Sequence, residues 1–102
     1  MNIGIDIEEC ERFKSVHIEK IFSAAELEYI KQRHMASETI AGLYCAKEAY
    51  GKAKGFGILK SRLPEIEVAH DENGKPYYKN DKSAVLSISH TKATAVAVCI
   101  IL

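Results

Sequence analysis

The chain of 102 residues predicts a single small α+β domain. Three observations lead there: a strand-like alternation at the N-terminus, two helical stretches behind it, and then a run of strand-like segments punctuated by Pro64 and Asn73-Gly74. Strands that follow one another, rather than alternating with helices, favour an antiparallel-rich sheet packed by helices. With 47% hydrophobic residues the chain can fill one core but is too short for two, so residues 1–102 read as one domain.

From Asn2 to Glu8, Ile3, Ile5 and Ile7 alternate with Gly4, Asp6 and Glu8, the two-residue period of a half-buried strand. By itself, the face bearing Asp6 and Glu8 reads as solvated. A short mixed stretch reaches Phe22, and Ser23-Ala-Ala-Glu26 then fits a capping box that opens a helix to about Arg33. Ser37 is the expected N-cap of the longest helix, about Glu38 to Lys54, with Gly55 as its stop. Gly42, Ala46, Ala49 and Ala53 make a smooth stripe along it that permits close approach to a sheet. Glu48 and Lys52 lie off that stripe, and Lys47 on its flank.

Gly55-Phe-Gly57 breaks the helix, Pro64 precedes a strand at about Glu65 to His70, and Asn73-Gly74 marks a hairpin whose return strand follows Lys75-Pro76. Val85 to His90 and Thr94 to Leu102 complete the pattern. The last segment is apolar on both faces, as suits a central strand beneath the helices or a subunit contact.

Lys plus Arg number 14 and Asp plus Glu 14, a balance that argues against a nucleic-acid backbone as partner. Residues 1–48 nevertheless carry a net −3 and residues 49–102 a net +3. The opening MNIGIDIEEC lacks the basic start and unbroken apolar core of a secretion signal, and no apolar run suits a membrane span, so a cytoplasmic location is expected. Cys10, Cys45 and Cys99 are odd in number and far apart, which points to reduced, partly buried thiols, and the histidines show no zinc-ligand spacing.

Asp6 and Glu8 point to the same side of their strand, roughly 6–7 Å apart along it. Lys47-Glu48-Ala-Tyr-Gly-Lys52 adds a third carboxylate and two lysines. Mg²⁺ takes one or two protein carboxylates and completes its octahedron with water and phosphate oxygens, so Asp6 plus Glu48 is a suitable ligand set. The plainer alternative for Glu48 and Lys52 is an ordinary pair one helical turn apart. Lys47, Lys52, Lys54, Lys60 and Arg62 stand against Glu48 alone in their stretch, which suits either a polyanionic small ligand or a solvated helix end. Ser89 and His90 are neighbours on a strand and diverge to opposite faces, which argues against a Ser–His nucleophile. At the strand end, His90 and Thr91 are placed to donate to a phosphate.

These segments in sequence, Gly4-Ile-Asp-Ile-Glu8, Glu11-Arg12-Phe13, Ile21-Phe-Ser-Ala-Ala-Glu26, Ala46-Lys-Glu-Ala-Tyr-Gly-Lys-Ala53, Asn73-Gly-Lys-Pro76 and Leu86-Ser-Ile-Ser-His-Thr91, resemble the holo-acyl-carrier-protein synthases. These are the small single-domain branch of the 4′-phosphopantetheinyl transferases, and the resemblance covers nearly the whole chain. It implies an α+β fold and Mg²⁺-dependent transfer of the phosphopantetheine arm of coenzyme A to a serine of an acyl carrier protein, releasing adenosine 3′,5′-bisphosphate. It implies Asp6 and Glu48 as metal ligands, Lys52 as a candidate general base, and Lys47 among the groups around coenzyme A. Asn73, Gly74, Lys75 and Pro76 match a hairpin at its nucleotide end, and Ser89, His90 and Thr91 a segment near its phosphates. Arg12 and Arg33 are the basic residues left to meet an acidic carrier. The resemblance also implies a homotrimer with sites shared between subunits. Leu43 departs from the pattern, standing where many members carry an arginine, and it keeps a second reading in view: the same fold as a nucleotide- or carrier-binding module with reduced turnover.

Overall fold

The structure, a computed structural model, describes residues 1–56 and 60–102, with the side chains of residues 60 and 61 left aside. Gly57, and the side chain of Lys60 in the basic stretch, therefore lie outside the described residues. In chain order the elements are β1 (Asn2–Glu9), two 3-10 turns (Cys10–Lys14 and Ile18–Lys20), α1 (Ala24–Gln32), α2 (Ser37–Lys54), a 3-10 segment (Lys60–Glu65), β2 (Val68–His70), β3 (Pro76–Tyr78), β4 (Ala84–His90) and β5 (Thr94–Ile101). The main sheet has the order β1-β5-β4, antiparallel throughout, and β2 and β3 form a separate antiparallel pair beside β4. The expected α+β class, antiparallel-rich and packed by helices, is what folds.

One face of the sheet is covered by α2. Ala95, Ala97 and Cys99 of β5 are buried beneath it, and Gly42, Ala46, Ala49 and Ala53 face them as the stripe of small residues predicts. Gly4 fixes how close the layers come. A Cβ on it would lie 2.0 Å from the Ala49 carbonyl oxygen and 2.6 Å from the Ala53 nitrogen, so β1 and α2 meet backbone to backbone.

This contact reverses the expected exposure of β1. Its Gly4 and Asp6 side is buried under α2, whereas Ile3, Ile5 and Ile7 are 67%, 59% and 65% exposed on the other face. The alternation was read correctly, but the aliphatic residues were not the inward set, because a helix with only small side chains leaves no room for isoleucine beneath it. Val96, Val98 and Ile100 of β5 and Val85 of β4 lie on the same outer face, half-buried or exposed. The doubly apolar last strand is thus central in the sheet, covered by helix on one face only.

α1 starts with the predicted capping box: Glu26 N–H donates to Ser23 Oγ at 3.2 Å and Ser23 N–H to Glu26 Oε1 at 2.9 Å. Ser37 is a correction. It is the first residue of α2, and Ala36 holds the N-cap position with extended backbone and no side-chain bond. The chain arrives there through His34 and Met35, both left-handed (φ 60° and 56°), and that turn sets the entry one residue early. Gly55 ends α2 as expected, left-handed at φ 81°. The strand expected from Glu65 begins only at Val68, because Pro64 sits inside a 3-10 segment running to Glu65. At the hairpin, Asp71 Oδ1 accepts from the Asn73 and Lys75 N–H groups at 2.8 and 2.9 Å, and Gly74 takes φ 82°. All three cysteines are free and buried, as expected.

Candidate functional site

Asp6 reaches the seam between β1 and α2 because strand alternation turns it inward next to Gly4. Glu48 and Lys52 reach it from α2, one turn apart. Lys52 Nζ donates to the Ile5 carbonyl at 2.9 Å and to Asp6 Oδ1 at 3.2 Å, joining the two elements. Asp6 and Glu48 are buried, while the Lys52 side chain is half exposed, so the cluster opens to solvent at its lysine. The other Asp6 oxygen, Oδ2, is buried and has no hydrogen-bond partner among the described residues. A buried carboxylate oxygen in that position lacks a donor or a cation.

Glu8 continues the acidic side of β1. Burial first, and then the neighbouring Asp6 carboxylate, push its carboxyl up to about 7 against the opposing effect of Arg12. Arg12 pairs with Glu8, and its guanidinium lies over the rings of Phe13 and Tyr44 at 5.4 and 5.3 Å. Tyr44, buried one turn before Glu48, is pushed up to about 12 by burial and by the Glu48 charge. The bracket of Arg12 and Tyr44 around the carboxylates was missed from sequence, although the Arg12 side chain is half exposed, as its expected surface place requires. The available signal was its spacing of four from Glu8, usable only once β1 is known to give way to a helical turn at Cys10.

The structure joins Asp6 to Lys52, with Glu48 buried one helical turn before Lys52 on α2, and it corrects Lys47. Expected near coenzyme A, Lys47 is fully buried on another flank of α2. Its Nζ donates to Glu26 Oε1 at 2.7 Å, to the Leu63 carbonyl at 2.8 Å and to the Ile66 carbonyl at 2.7 Å. All three N–H donors are spent inside the protein, so none is left for a phosphate. Leu43 is buried in the core, which makes its place in the chain a packing position.

The remaining expected residues lie on the far side of the sheet. Ser89 and His90 end β4, the edge opposite β1: Glu8 and His90 both pair with Ala95 from its two sides, two strand spacings or roughly 10 Å apart. His90 is exposed, and Thr91 Oγ1 accepts from the Ala93 and Thr94 N–H groups at 3.2 and 3.1 Å, which leaves its own hydroxyl proton to donate. Asn73, Gly74 and Lys75 form the exposed tip of the β2-β3 hairpin, with Pro76 beginning β3. Arg33 lies over the Tyr29 ring at 5.1 Å.

Among the described residues no three His, Cys, Asp or Glu side chains group as a metal cluster, and no helix is long and apolar enough to cross a membrane.

Residues 2–99 match the family profile of the 4′-phosphopantetheinyl transferase superfamily. The chain is 40% identical to the holo-[acyl-carrier-protein] synthase of Caldicellulosiruptor bescii, over 97% of its own length and 95% of the relative's. It is 38% identical to that of Fusobacterium nucleatum, over 100% and 98%. Among solved structures it resembles the Bacillus anthracis holo-(acyl-carrier-protein) synthase in complex with CoA (3′,5′-ADP), at TM-score 0.87 and 38% identity, covering 98% of this chain and 94% of that one. The Helicobacter pylori synthase in complex with coenzyme A is similar at TM-score 0.80 and 29% identity, covering 98% and 99%. The profile match over residues 2–99, these near-full-length relatives and the shared fold make the chain a member of the 4′-phosphopantetheinyl transferase superfamily, in its holo-[acyl-carrier-protein] synthase branch.

Proposed function

We propose that the protein transfers the 4′-phosphopantetheine arm of coenzyme A to a serine of an apo acyl carrier protein in the cytoplasm, with Mg²⁺, releasing adenosine 3′,5′-bisphosphate. The observation that carries this reading is the seam where Lys52 meets the buried Asp6, one helical turn after the buried Glu48, with Asp6 Oδ2 lacking a hydrogen-bond partner among the described residues. Two hard carboxylate ligands, one with a free buried oxygen, fit a cation that keeps waters and substrate phosphates in its other positions. When bound, Mg²⁺ would neutralise charge developing on the pyrophosphate.

Asp6 and Glu48 would hold that ion. Lys52 is anchored to the Ile5 carbonyl and Asp6 and is half open to solvent, which suits an ammonium group held against a phosphate oxygen. To act as the base for the acceptor serine it would have to leave Asp6 and lose a proton, so we assign it first to the phosphates. The serine oxygen, its proton passing to solvent, attacks the phosphorus that bears the pantetheine, and the bond to the nucleotide's phosphate breaks with its electron pair on the leaving group.

The residues proposed for the nucleotide, Asn73 to Pro76 and Ser89 to Thr91, stand on the sheet edge away from Asp6. A ligand that meets both sets is served more directly by two chains than by one. The uncovered outer face of Ile3, Ile5, Ile7, Val85, Val96, Val98 and Ile100 supplies apolar surface for such an assembly, a homotrimer on this reading. Incubation with coenzyme A, Mg²⁺ and an apo carrier, followed by mass spectrometry of the carrier, tests the reaction. A gain of one phosphopantetheine is expected; binding with no gain in mass would leave the protein a binding module.

A further inference from the structure

We propose that Lys47 is a positioning residue: its buried bonds to Glu26 and to the chain at Leu63 and Ile66 set the rotation of α2, and through it the aim of Glu48 and Lys52 at Asp6. This rests on the cation reading of the Asp6 seam. The face of α2 that meets the sheet is the stripe of Gly42, Ala46, Ala49 and Ala53, close to the strands but without large side chains to interlock. Such a surface permits approach and resists turning or sliding poorly. Ile40, Leu43 and Tyr44 pack elsewhere on the helix and the Tyr78 hydroxyl donates to the Ala46 carbonyl at 2.6 Å, but beside Glu48 the directed anchor, or peg, is Lys47. It is fully buried, and each N–H is matched to an oxygen at 2.7–2.8 Å.

The peg is held from its far side as well. Glu26 Oε1 also accepts from Ser23 N–H at 2.9 Å, and Oε2 accepts from Val68 N–H at 2.8 Å. One carboxylate therefore joins the start of α1, the middle of α2 and the start of β2. Glu48 is the next residue of α2, about 100° round the axis from Lys47. Any turn of the helix that Lys47 prevents would swing Glu48 and Lys52 across Asp6.

The test uses the full chain and Mn²⁺ as the probe, with calorimetric titration as the readout. Lys47→Met alone strands Glu26 and is vulnerable to unfolding, so the working variant is Glu26→Gln/Lys47→Met, whose folding is followed by circular dichroism. Lys54→Met, which removes another α2 lysine paired at its own carboxylate, Asp81, is the control. The expectation is Mn²⁺ affinity at least about tenfold weaker in the folded double variant and unchanged in Lys54→Met. Wild-type affinity in the folded double variant overturns the proposal alone. A wild-type chain that takes up no Mn²⁺ overturns the cation reading and this proposal with it. A second measurement needs no variant: because coupling is reciprocal, Mg²⁺ should slow hydrogen exchange at the Val68 amide bonded to Glu26. Mg²⁺ binding that leaves that amide unchanged counts against the coupling.

Discussion

Two ionic clusters flank α2, and they are built to opposite specifications. On one side, Lys47 and Glu26 are sealed from water, and every donor of the lysine and both oxygens of the glutamate have a partner. On the other, Asp6 and Lys52 are joined at 3.2 Å, but one Asp6 oxygen is buried without a partner among the described residues and the lysine is half in solvent. The first is a closed hydrogen-bond account and acts within the protein. The second leaves a deficit of positive charge that a ligand can fill. Their adjacency in sequence, Lys47 next to Glu48, hides this difference, because a helix sends neighbouring residues to different flanks.

The comparison breaks most visibly at Asp6. Asp6→Ala removes a proposed cation ligand, so turnover of an apo carrier, followed by mass spectrometry, should fall by about a thousandfold or more. Thermal stability should hold or rise, because an orphaned buried acceptor is lost. If the variant melts well below wild type, the Asp6 side is a structural pair like the other. Lys47→Met should do the reverse first: urea unfolding should register a loss of about 3–5 kcal/mol, much of it recovered when Glu26→Gln removes the stranded charge. A single variant as stable as wild type would show that the buried pair contributes no net stability.

How these clusters read from sequence follows from the same physics. The α+β order, the capping box and the helix stop at Gly55 were legible, because each depends on local chemistry or on spacing within one element. The exposure of Ile3, Ile5 and Ile7 was not, since alternation gives two faces and only the partner chooses between them; here the choice is made by small residues more than forty positions away. Lys47 was misread for a related reason. A lysine next to the glutamate proposed to hold the cation looks like part of the site until Leu63, Ile66 and Glu26 are brought around it, and nothing local announces that enclosure.

Gly4→Ala probes the seam between the clusters. With 2.0 Å from its Cβ to the Ala49 carbonyl oxygen, β1 and α2 must part, at a cost of about 1–3 kcal/mol. The separation opens the Asp6 side, so Mn²⁺ affinity should fall more than the melting temperature alone suggests. Equal affinity in the folded variant would mean that the seam tolerates slack and the carboxylates need no fixed spacing.

The smallest effect belongs to His70, at the end of β2 on the Lys47 side. Its ring stacks on Tyr29 at 4.0 Å between centroids and 6° between planes. Burial first, and then the Arg33 charge, hold its pKa below the ordinary histidine value, with Asp71 opposing. The folded protein therefore favours the neutral ring, while the unfolded chain protonates near the ordinary value of about 6.5. Stability contributed this way is intact above that pH and is lost as pH falls through it towards the lower folded value. Melting temperature should thus drop between pH 7.5 and 5.5 by more in wild type than in His70→Phe, which keeps the stack and cannot titrate. Because β2 hangs from Glu26 through Val68, the drop should be accompanied by faster exchange at the Val68 amide before Asp6 loses its hold on Mn²⁺. If metal affinity falls first, the two sides of α2 are not separable, and the closed cluster is not the independent support that its geometry describes.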